Sequence, residues 1–64
     1  MNKDIKYYKF INSETGNVIY FLSFPWDEPN AVEKLEAMRE KLAYENGIYI
    51  ENIYYSKSSE KDFE

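Results

Sequence analysis

Any chemistry in this sequence would have to come from carboxylates and aromatic rings. Neither His nor Cys occurs, which removes the common nucleophile and base pairs, Ser with His and Cys with His, and most zinc hydrolase sites. Closely spaced carboxylates include Asp27 with Glu28 and Glu60 with Asp62. A carboxylate pair works as acid and base only where its surroundings hold the two pKa values apart, and these fall in a predicted loop and a predicted tail. Glycine occurs only at 16 and 47, so a Gly-rich phosphate loop is absent. A ligand-sized enclosed pocket is also hard to build in 64 residues. The expectation is a non-enzymatic protein that holds neither cofactor nor metal.

The rings carry more information. Seven Tyr, four Phe and one Trp make up 19% of the chain, more than the core of so small a domain can enclose, so some must lie at the surface. A domain of about 60 residues buries only about 60% of the surface its unfolded chain exposes, and such domains often need a disulfide, a metal or a partner. Without Cys or His, the remedy left is association. The net charge of −4, twelve acidic residues against eight basic ones, disfavours general binding to phosphate backbones. The N-terminus lacks the basic-then-apolar order of a signal peptide, and no apolar run reaches membrane-spanning length. A soluble, cytoplasmic protein is expected. The wealth of Lys, Asn, Ile and Tyr suits an AT-rich genome of a low-GC bacterium or phage.

The element best marked in the sequence is a helix between Asp27 and Gly47. Asn30 and Glu33 have the spacing of a capping box, and Asn46-Gly47 supplies a left-handed stop. Ala31, Leu35, Met38 and Leu42 recur at i, i+4, i+7 and i+11, one narrow buried stripe. Residues 5–12 and 18–24 read as strands joined by a three-residue loop over Glu14, Thr15 and Gly16 with a glycine bulge. Residues 48–55 read as a third strand. The predicted fold is α+β: a single ββαβ domain over residues 1–55, with one helix on one face of a three-stranded sheet and a mobile charged tail over 56–64. The strand order 2-1-3 is preferred to 1-2-3.

A loop centred on Thr15 pairs Phe10 with Tyr20, Tyr8 with Leu22, Lys9 with Phe21 and Ile11 with Ile19. Lys9 is costly to bury in mid-strand, so its face is the open one. Tyr8, Phe10, Val18, Tyr20, Leu22, Phe24, Ile48 and Ile50 then face the helix. The open face receives Ile5, Tyr7, Ile11, Ile19, Phe21, Tyr49, Ile53 and Tyr55, beside Lys9, Ser23 and Glu51. So many large apolar side chains exceed what a monomer ordinarily exposes.

Three functional readings follow. The first is a protein-binding module, a homodimer or a phage-type or regulatory inhibitor, whose interface comprises Tyr7, Ile11, Ile19, Phe21, Trp26, Tyr49, Ile53 and Tyr55. Its simplest competitor is intramolecular cover of the same face by the tail and Phe63. The second reading is single-stranded nucleic acid stacked on the sheet aromatics near Lys6 and Lys9. The third is mimicry of a phosphate row by Asp27, Glu28, Glu33, Glu36 and Glu40, which compete with the plainer reading of a solvated acidic face. On the helix assignment, Leu35→Ala or Leu42→Ala should cost about 2 to 5 kcal/mol. Glu36→Ala or Glu40→Ala should cost almost nothing. Denaturant unfolding of the four variants checks the assignment.

Overall fold

A computed structural model of the chain describes residues 5–58. Strands β1 (Ile5–Asn12) and β2 (Asn17–Pro25) form a hairpin, helix α1 (Ala31–Asn46) follows, and a single 3-10 turn at Ile50–Asn52 leads into β3 (Ile53–Ser58). The sheet order is β2-β1-β3 with both pairings antiparallel. The ββαβ fold and the 2-1-3 order are therefore as the sequence predicts. None of the described helices is long and apolar enough to cross a membrane.

The helix forms where its stripe places it. Leu35 and Leu42 are buried, and Ala31 and Met38 pack beside them against the sheet. Gly47 adopts φ 64°, and the N–H groups of Gly47 and Ile48 both reach the Ala43 carbonyl, closing the helix with a left-handed cap. The start differs from expectation. Asn30 lies at φ −109° and ψ 32°, outside the extended conformation a capping side chain needs, and makes no side-chain cap. Glu28 acts instead: its Oε2 accepts the Asn30 N–H at 3.2 Å, and its Oε1 pairs with Lys34 Nζ at 3.2 Å. A carboxylate at that end also opposes the positive pole of the helix dipole.

The hairpin loop has four residues rather than three. Asn12 Oδ1 accepts the Glu14 N–H, Thr15 Oγ1 accepts the Asn17 N–H, and Gly16 takes φ 77° while its N–H bonds the Asn12 carbonyl. These side-chain bonds start the turn at Asn12, so Asn12 pairs with Asn17 and Ile11 with Val18. A bulge then absorbs the extra residue, Ile19, and restores Phe10 to Tyr20, Lys9 to Phe21 and Tyr8 to Leu22. The predicted register holds along the body of the hairpin and fails beside its turn. Val18 is thereby moved out of the helix-facing set to an exposed position, whereas Ile19, expected on the open face, packs against the core.

The third strand also starts later than predicted. The left-handed cap holds Ile48 against the helix end, and an Asn52 N–H to Tyr49 carbonyl bond closes the 3-10 turn. Ile50 is half-buried within that turn rather than in a strand, and Tyr49 is exposed beside it. Pairing begins with Ile53 opposite Asn12 and puts Tyr55 opposite Phe10 and Tyr54 opposite Ile11. Ile53 and Tyr55, expected on the open face, consequently face the helix. Among the described residues, Ile53 and Phe10 are the two fully buried large side chains. β3 continues through Ser56, Lys57 and Ser58, residues assigned to the tail by the sequence; the remainder of that segment, with Phe63, lies outside the described residues.

Main-chain bonding alternates along β1. The Ser13 N–H reaches the Asn52 carbonyl at 2.8 Å, so odd positions of β1 bond toward β3 and even positions toward β2. Pro25 sits opposite Ile5, an odd position. Its nitrogen points away from the sheet, and its missing donor costs the ladder nothing. The reassigned core gives a direct test: Ile53→Ala should destabilise by about 2 to 5 kcal/mol, and Val18→Ala by less than about 1 kcal/mol. Urea unfolding of both variants, followed by circular dichroism, measures the difference.

Candidate functional site

With the helix on one face, the other face of the sheet is the candidate site. Its residues follow from register: Tyr7, Lys9 and Ile11 on β1, Val18, Phe21 and Ser23 on β2, and Tyr54, Ser56 and Ser58 on β3. Ile11 is 8% exposed although it lies outside the helix-side core. Its flanking partners Val18 and Tyr54 are 42% and 49% exposed, and Phe21 is 38% exposed. An apolar centre with half-open rings around it is the arrangement found at protein-binding patches.

Of the predicted interface residues, the structure brings Tyr7, Ile11 and Phe21 together on this face. It places Ile19, Ile53 and Tyr55 on the helix side, Tyr49 just before the 3-10 turn, and Trp26 in the loop before the helix with 58% of its surface exposed. Val18 and Tyr54 belong to the face and were missed by sequence reasoning. For Tyr54 a signal existed, because Glu51-Asn52 are poor strand formers inside an otherwise β-rich run. For Val18 there was none, since a one-residue bulge leaves no mark in an Ile-Tyr-Phe-Leu sequence.

The cations of the nucleic-acid reading separate. Lys9 pairs with Phe21 on the open face, but Lys6 pairs with Phe24 and Lys57 with Tyr8, positions on the helix side. Among the described residues, one lysine remains amid the open-face rings. The acidic set is also divided. Glu28 is tied to Lys34, while Glu36 Oε1 accepts Arg39 at 3.0 Å and its Oε2 accepts the Tyr55 hydroxyl at 3.1 Å. Asp27, Glu33 and Glu40 remain as an exposed remnant of the predicted row.

Arg39 and Tyr55 form the polar side of the helix and sheet contact and share Glu36 as acceptor, so Glu36→Ala, expected from the sequence to cost almost nothing, removes two hydrogen bonds and should cost more than Glu40→Ala. Arg39 Nε donates to the Ile53 carbonyl at 2.6 Å, so one guanidinium links Glu36 on its own helix to the first residue of β3. A charged donor on a partly buried carbonyl contributes about 1.5 to 3 kcal/mol. The Tyr55 ring meets Phe10 at 5.7 Å and Tyr8 at 6.2 Å. Burial, then the hydrogen bond and negative charge of Glu36, push the Tyr55 phenol above its ordinary value of 10.0.

A group whose pKa is raised by folding holds its proton more tightly in the native state. Its contribution is complete below the unfolded value near 10.0 and is lost as pH rises through the folded one. Stability should therefore fall above about pH 10, and Tyr55→Phe should flatten that fall. Urea unfolding from pH 8 to 11 on both proteins isolates the effect from the other tyrosines and lysines. Comparison with protein-family models, with curated proteins and with solved structures returned no match.

Proposed function

We propose that this protein is a non-enzymatic binding module that acts through the open face of its sheet, on another protein or on a second copy of itself. One observation carries the reading: Ile11 is nearly buried at the centre of a face whose surrounding Val18, Phe21 and Tyr54 stay accessible. Large half-exposed aromatics around a desolvated centre can contribute strongly when a partner removes the remaining water. The face is also uncharged apart from Lys9 among the described residues, in a chain of net charge −4, which favours an apolar protein surface over a phosphate backbone. An inhibitor that covers its target through this face is the most specific version of the reading.

Single-stranded nucleic acid is the weaker alternative. Stacked bases would find Phe21, Tyr54 and Tyr7, but among the described residues the backbone would find one lysine where electrostatic tracking needs several. The acidic-mimic reading loses Glu28 and Glu36 to internal partners, which breaks the row of free carboxylates it requires.

Phe21→Glu separates these possibilities. A charge on an exposed strand position opposite Lys9 should leave a helical, cooperatively unfolding domain while weakening any dimer or complex. Circular dichroism beside sedimentation at several concentrations, with partner capture where the wild type is monomeric, reads both properties. Loss of folding would place Phe21 in the intramolecular core. An unchanged assembly would remove this face as the interface. Salt-sensitive binding of an oligothymidylate that Tyr54→Ala abolishes would promote the nucleic-acid reading instead.

A further inference from the structure

A second surface lies on the other side of the sheet, where β2 is an edge strand beside α1. A cleft of about 350 Å³ runs between them, lined by Leu22 and Phe24 from β2, Ala37 and Met38 from α1, and the lysines Lys34 and Lys41, with Ser23 between the two β2 side chains. Ser23 pairs with Tyr7, so its side chain belongs to the opposite face and its main chain is what borders the cleft. The alternation along β1 agrees. Tyr7 is an odd position, bonded toward β3, so Ser23 turns its own N–H and C=O outward along the free edge. Pro25, whose nitrogen also points outward, limits the accessible edge to a short segment.

Three features thus meet in one place: an outward main-chain donor and acceptor, an apolar floor, and two lysines seven residues apart on one helix, about 10.5 Å in rise. Lys34 is paired with Glu28, while no ion pair among the described residues involves Lys41. On a protein of net charge −4, an apolar cleft with Lys41 at its rim, outside any ion pair among the described residues, favours an acidic visitor. We infer that this cleft binds an extended acidic peptide segment, which adds to β2 as a short fourth strand. One apolar side chain rests on Leu22, Phe24 and Met38, and a carboxylate two residues away on the same side meets Lys41. The required pattern is an apolar residue with an acid two positions away, because alternate side chains of a strand share a face, and an acid on both sides serves either strand direction. A fatty-acid-like carboxylate would use the floor and the lysine but not the strand edge, so the edge decides for the peptide.

The test uses the full chain and a fluorescein-labelled, end-blocked peptide Asp-Thr-Leu-Thr-Asp at low salt. Fluorescence anisotropy should show saturable binding, and Lys41→Glu should weaken it about tenfold, the loss of an attraction plus a new repulsion. The thermal unfolding midpoint of that exposed-site variant should stay unchanged. N-methylation of the two threonine amides of the peptide, which removes strand pairing and keeps every side chain, should abolish binding. Amide exchange at Ser23 should slow when the unmethylated peptide is present. Equal binding of the methylated peptide, or no effect of Lys41→Glu, overturns the proposal. So does decanoate that binds with Lys41 dependence where the peptide does not. Because Phe21→Glu lies on the other face, loss of the proposed sheet-face interface and loss of this cleft are separate results.

Discussion

The placement of Ile53 is the constraint on which the rest of the structure depends. Its side chain is fully buried with Phe10 in the cluster that holds Leu35 and Leu42, and its carbonyl receives Arg39 from the helix. These contacts fix where β3 begins and on which side of the sheet the helix lies. With Ile53 opposite Asn12, Tyr55 must stand beside Phe10 and Tyr54 must point the other way. A shift of one residue would expose Ile53 and Tyr55 and bury Tyr54, which lacks the Glu36 partner that receives the Tyr55 hydroxyl. A single residue therefore sets both the core and the composition of the opposite face.

The domain divides its aromatic residues according to what they can satisfy. On the helix side, Tyr8, Phe10, Phe24 and Tyr55 contact one another at ring distances of 5.5 to 6.2 Å, in the stacked, tilted and edge arrangements aromatic pairs favour. Tyr20 extends this cluster toward Phe10 while remaining partly exposed. On the other side, Val18, Phe21 and Tyr54 retain exposed surface. The contrast supports the reading of the open face as a binding surface, and the β2 edge adds a second place where main chain and apolar floor are accessible together.

Much of the fold was legible in the sequence because its signals are local. The Ala31, Leu35, Met38 and Leu42 stripe and the Asn46-Gly47 stop specify the helix by periodicity and by the φ that glycine tolerates. Lys9 identifies the open face of β1 through the cost of burying a charge in mid-strand, and the body of the hairpin register follows from it. The sequence by itself therefore determined the element order, the buried helix stripe, the pairing of Lys9 with Phe21 and the membership of Tyr7, Ile11 and Phe21 in one face.

Only the tertiary structure decided the two parity changes. Side-chain bonds from Asn12 and Thr15 shape the four-residue loop and displace the register until Ile19 bulges, and the 3-10 turn closed by Asn52 delays β3 to Ile53. Each event inserts or removes one residue from an alternating pattern, and a period of two turns such a change into an exchange of faces. Ile, Val and Tyr suit either face, so composition cannot register the exchange. Glu36 and Glu28 show the same limit for charge. As sequence they are two members of an acidic row, and only the fold brings Arg39, Tyr55 and Lys34 within reach to make them internal partners.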